Sequence, residues 1–145
     1  MEPISRFVRL AGAERRVLAC ALVMLPAQAL ALRLLGLRRC LARAESGRER
    51  GSSLADAHRI SYLVDAAANR MPGGVGRCLV RSMVLCRLLL AHGYAAKLAL
   101  GVRIQGAELQ SHAWVELDGV PVNAALDVST FYTRLEPPGK VARRS

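Results

Sequence analysis

Residues 111–123, SHAWVELDGVPVN, decide the fold. His112, Trp114 and Glu116 alternate with Ala113, Val115 and Leu117, and a period of two is the pattern of a half-buried strand. Asp118-Gly119 follows. That pair is a strong hairpin signal, because the tight turn needs positive φ at both central residues. The segment VPVNAAL then reads as the returning strand, with Pro121 marking an edge or a bulge, since proline cannot donate to a ladder. Upstream, AKLALGVRI, ending at Ile104, reads as a further strand.

Before Gly93 the period changes to that of a helix. In the stretch Cys78 to His92, Leu79, Val80, Met83, Val84, Leu88 and Leu90 are apolar, with Arg81 and Arg87 off that face. Gly93 stands where a left-handed cap belongs. A second amphipathic pattern, LADAHRISYLVDAAANR, places Leu54, Ala57, Ile60, Leu63, Val64 and Ala67 three or four residues apart. Ser53 is placed to cap it, and Met71-Pro72-Gly73-Gly74 ends it. SGRERGSS (46–53) reads as a polar linker, and the tail EPPGKVARRS as a solvated end. Helices first and a small antiparallel sheet afterwards make an α+β chain, with the helices on one face of the sheet. The expected organisation is one domain over 1–145, with a helical lead-in over 1–50 and a core over 54–135.

The lead-in is rich in Ala, Leu and Arg, all good helix formers. Its uncharged run from Val17 to Leu32 is shorter than the roughly 20 residues that a spanning helix needs. It reads as one or two buried or interface helices, kinked or broken near Pro26. Association with a membrane surface, and secretion through a signal peptide, are the alternatives.

Composition sets the remaining bounds. Apolar residues make up 52% of the chain, which excludes disorder, and aromatics only 4%, so the core must be aliphatic. Four cysteines without a CxxC pair or clustered histidines argue against a disulfide scaffold or a structural zinc site. Reduced thiols in the cytoplasm fit better. A net charge of +10 favours acidic partners. Low aromatic content argues against base stacking on nucleic acid, and no groove-reading motif is present. A non-catalytic basic adaptor remains a rival class. GGVG lacks the Lys and Ser/Thr of a phosphate loop, and no cofactor is expected.

One cysteine stands apart. PGGVGRCLVRS (72–82) puts three glycines in front of Cys78 at a helix start. Unpaired N–H groups there favour a thiolate, and glycines let a substrate backbone approach. Cys20, Cys40 and Cys86 lie in apolar surroundings and read as structural. A nucleophile needs a base. His58 lies on the exposed side of a helix and His92 at a helix C-terminus, so His112 on its strand is the candidate. The returning strand supplies Asp127 or Asn123 to orient it, while Asp118 belongs to the turn.

Cys78, His112 and Asp127, in that order on helix, strand and strand, resemble the transglutaminase-like, papain-related cysteine catalytic core. RCLVRSMVLCRLLLAHGYAAKLALGVRI followed by SHAWVELDGVPVN resembles one branch more closely: the leader peptidases of lasso peptide biosynthesis, often called the B protein. AERRVLACALVMLPAQALALRLLGLRRC is similar to that branch's helical lead-in. The resemblance implies a cytoplasmic cysteine peptidase with Cys78 as nucleophile and His112 as base. The branch usually has an acidic residue directly after the asparagine of the returning strand, where this chain has Ala124. The third role therefore falls to Asp127, with Asn123 as the fallback. The implied partners are a precursor peptide, a separate PqqD-like leader-recognition protein and an asparagine-synthetase-like macrocyclase. A transferase passing the acyl group to an amine would use the same residues.

Overall fold

The structure, a computed structural model, describes residues 11–42, 53–73 and 77–135. The linker residues 46–52, the glycine-rich positions 74–76 and the tail from 136 lie outside the described residues.

Three helices come first: α1 (Gly12–Ala42), α2 (Leu54–Ala68) and α3 (Cys78–Ala91). The Ser53 side chain accepts a hydrogen bond from the Ala55 N–H at 3.2 Å, the expected cap of α2. Gly93, at φ 87°, follows α3 in the left-handed conformation that only glycine adopts cheaply. In α1 the break expected near Pro26 falls elsewhere. Pro26 sits inside the helix, and the non-helical residue is Gly36, at φ 77° and ψ 165°. A proline removes one hydrogen bond, whereas a glycine can leave helical φ/ψ altogether.

The sheet consists of β1 (Ala96–Gln105), β2 (Glu108–Leu117), β3 (Val120–Pro121) and a closing strand β4 (Thr133–Arg134), in the order β3-β2-β1-β4. A four-residue helix, α4 (Val128–Phe131), precedes β4. β1 and β2 pair antiparallel over their full length, from Ala96 opposite Leu117 to Gln105 opposite Glu108. β2 is thus longer than the expected 111–117, β1 ends at Gln105, just past the expected 103 or 104, and the two are closed by a tight turn with Gly106 at φ 65°. Asp118 and Gly119 are both at positive φ, 49° and 79°, as the hairpin reading requires.

The returning strand is the main correction. VPVNAAL does not continue as a strand, because β3 stops at Pro121. The Val122 N–H still donates to the Val115 carbonyl at 2.8 Å. At the next residue the Asn123 side chain takes over as acceptor for the Val115 N–H. β2 is therefore an edge strand at His112 and Ala113.

The principal core joins α1, α2 and α3 to one face of the sheet, through Leu25, Val64, Val84, Leu85, Leu89 and Val115. The arrangement is α+β, helices followed by a small antiparallel sheet. A second, smaller cluster of Ala99, Trp114 and Val128, with Ala124 and Tyr132 against it, lies on the opposite side of the alternation.

Candidate active site

A pocket of about 160 Å³ is lined by Cys78, Arg81, Ser82, His112, Ala113 and Asn123. Three segments meet there: the first turn of α3, the free edge of β2 and the chain just past β3. Cys78, Arg81 and Ser82 share a face because residues three and four apart are neighbours on a helix. Cys78 is a half-buried free thiol and the first residue of α3.

Ser82 and Asn123 hold the three segments together. The fully buried Ser82 hydroxyl donates to the Ala113 carbonyl at 2.9 Å. It accepts from Asn123 Nδ2 at 2.9 Å, while Asn123 Oδ1 accepts from the Val115 N–H at 2.8 Å. Every link is a satisfied polar contact in a poorly solvated place, where an unpaired group would be costly. Asn123 is thus in the pocket wall, but its hydrogen bonds go to the frame rather than to the imidazole.

His112 belongs both to the pocket and to an aromatic group. Its ring lies 6.0 Å from Trp114, nearly parallel at 24°, and 5.4 Å from Tyr132. Among the described residues no hydrogen bond reaches its ring nitrogens; packing orients it. Gly101, opposite His112 in the ladder, makes that packing feasible. A Cβ there would stand 2.8 Å from Tyr132 Cβ and 2.9 Å from two ring atoms of Trp114. Trp114 is fully buried, and its indole N–H donates to Glu116 Oε1 at 2.8 Å. Arg134 Nη2 donates to the other oxygen of the same carboxylate at 2.6 Å. The alternating His, Trp and Glu of the opening motif therefore build one wall: imidazole, supporting ring and anchoring carboxylate.

Burial pushes the His112 pKa below its ordinary 6.5, and the nearby Arg103 guanidinium adds to the effect. Arg103 is held by Gln110 Oε1 at 2.8 Å and lies 4.9 Å over the Tyr132 ring. Both causes favour the neutral imidazole over the imidazolium. On the helix side, Arg81 reaches Asp65 at 3.3 Å and Asn69 Oδ1 at 3.1 Å, which places a fixed cation in the pocket wall.

The structure brings Cys78, His112 and Asn123 together around one pocket. Asp127 is exposed at the N-cap of α4 and is not among the lining residues. Arg81 beside Cys78 was legible as a source of positive potential, whereas Ser82 in the pocket wall and Tyr132 against the His112 ring were not singled out by the sequence reading. Ser82 had a usable signal, lying four residues after Cys78 on the same helix face. Tyr132 had none, since its position depends on how the chain returns after β3. Among the described residues no group of three or more His, Cys, Asp or Glu could hold a metal ion.

A helix-leading cysteine and a strand histidine thus line one pocket. The family model described as the transglutaminase-like superfamily matches residues 21–136. The chain belongs to that superfamily. No curated protein and no solved structure matches the chain.

Proposed function

We propose that this protein is a cysteine peptidase that removes the leader from a lasso peptide precursor, with Cys78 as nucleophile and His112 as base. The observation that carries the chemistry is the shared pocket of Cys78, His112 and Asn123 at the start of α3. The narrower substrate rests on the resemblance of RCLVRSMVLCRLLLAHGYAAKLALGVRI and SHAWVELDGVPVN to the leader peptidases.

In the proposed reaction His112 accepts the Cys78 thiol proton as sulfur attacks the scissile carbonyl. The Cys78 N–H helps hold the oxyanion. The C–N bond breaks, the imidazolium gives its proton to the leaving amine, and a thioester remains on Cys78. Water, losing a proton to His112, attacks the thioester; the C–S bond breaks, the leader leaves as its carboxylic acid, and the imidazolium returns its proton to the Cys78 sulfur. The freed core peptide passes to an asparagine-synthetase-like macrocyclase, and a separate PqqD-like protein presents the leader. Of the two candidates for the third role we assign Asn123, as a positioning residue that fixes the edge of β2 beside Cys78. An amine in place of water would make the same acyl-enzyme a transferase.

The test is incubation of the protein with precursor and recognition partner in the cytoplasmic pH range, read by mass spectrometry. Cys78→Ala and His112→Ala should yield no free leader, and Asp127→Ala should cleave like wild type. Cleavage by Cys78→Ala at the wild-type rate sinks the mechanism. An amide-linked product in place of free leader carboxylate would assign the transferase.

A further inference from the structure

Helix α1 has two apolar faces, and the fold uses one. Val17, Leu18, Ala21 and Leu25 are buried in the principal core. Gln28, on the same side, is buried too, accepting from Arg87 at 3.2 Å and lying 3.8 Å from Met83 Sδ. On the other side Val23, Leu30 and Leu34 are 70%, 56% and 73% exposed. With Ala19 and Ala27, also exposed, they form a stripe about 22 Å long at 1.5 Å per residue. A face of this kind on a soluble helix is normally polar.

We propose that this outer face of α1 docks on an anionic lipid surface, lying along it. Charge complementarity selects the occupant. α1 carries Arg15, Arg16, Arg33, Arg38 and Arg39 against one acidic residue, Glu14, and that one is paired with Arg59 of α2. Arg16 stands at one end of the stripe and Arg33 at the other, and Arg38 and Arg39 follow beyond the Gly36 break, all exposed. The stripe itself is aliphatic, without the aromatic anchors that concentrate binding energy at protein interfaces. An apolar strip flanked by arginines suits the boundary between acyl chains and anionic headgroups. Gly12–Cys40 is long and apolar enough to cross a membrane. Crossing, however, would pull Leu25 and Gln28 out of the core they share with α2 and α3, so the helix lies flat.

The test is co-sedimentation of the full chain with phosphatidylcholine vesicles, with and without phosphatidylglycerol. Wild type should pellet with the anionic vesicles and be released by salt. Leu30→Glu/Leu34→Glu should lower the partition coefficient roughly tenfold or more. Arg33→Gln/Arg38→Gln/Arg39→Gln should lower it to the level seen with neutral lipid. All these side chains are exposed, so both variants should melt like wild type. If the double variant loses its cooperative melt, Leu34→Gln decides by the same readout. Wild type that stays in the supernatant overturns the proposal, as does a leucine variant that binds equally well. A wild-type dimer that Leu30→Glu/Leu34→Glu converts to monomer assigns the face to a second copy and also overturns it.

Discussion

His112 packs against the rings of Trp114 and Tyr132, and no carboxylate is bonded to it among the described residues. Its pKa lies below 6.5 because burial and the Arg103 charge disfavour the imidazolium. As pH falls, the unfolded chain takes up this proton first. The contribution of His112 to stability is therefore present above about 6.5 and lost as pH drops through the folded value. An NMR titration of the imidazole should give an apparent pKa under 6.5, and Arg103→Gln should raise it by the smaller share that charge contributes. A wild-type value above 6.5 refutes this account. The cysteines separate in the same way by surroundings. Burial pushes the Cys86 thiol up to about 11, and Cys40 is buried as well. Brief alkylation at neutral pH should label exposed Cys20 and pocket-lining Cys78 and leave Cys40 and Cys86 untouched, as read by peptide mass spectrometry.

At the scale of elements, the site depends on how closely β1, β2 and the segment after β3 approach each other. Gly101→Ala places a methyl group against Trp114 and Tyr132. It should destabilise the fold by about 1–3 kcal/mol in urea unfolding. Cleavage should also fall, because the rings that orient His112 must move. Asn123→Ala leaves the Val115 N–H without its acceptor and Ser82 without a donor. The expected cost is about 1–3 kcal/mol, with a drop in kcat larger than any change in KM, since the variant loosens the edge of β2. A variant as stable and active as wild type would show that this junction does not position the site.

For the whole molecule, α1 is the clearest division between folding and surface. Leu25 is fully buried between the helices, whereas Leu34 is 73% exposed. Leu25→Ala should cost about 2–5 kcal/mol. Leu34→Ala should change stability by no more than about 0.5 kcal/mol. Paired thermal and urea melts check this. Equal losses at the two positions would mean that the outer face packs on something within the molecule. The stripe that makes α1 look like a membrane span by composition is thus two stripes, one spent on folding and one left over.

Most of the elements were legible in the sequence, and so were the positions of the proposed reacting pair. Helix and strand periods, the Ser53 and Gly93 caps and the Asp118-Gly119 turn are local physics, written in spacings of two to four residues. Cys78 at a helix start and His112 on a strand were legible for the same reason. Which polar residue after the hairpin lines the pocket was not. Asp127 and Asn123 both follow the hairpin, and choosing between them requires knowing that β3 ends at Pro121 and that Asn123 continues the ladder with its side chain. The break at Gly36 rather than Pro26 was hidden likewise, because both residues permit one. Ser82, Tyr132 and the Glu116–Arg134 pair acquire their roles only when distant segments meet. Tertiary structure decided these, since a buried polar group must find its partner wherever the fold has put one.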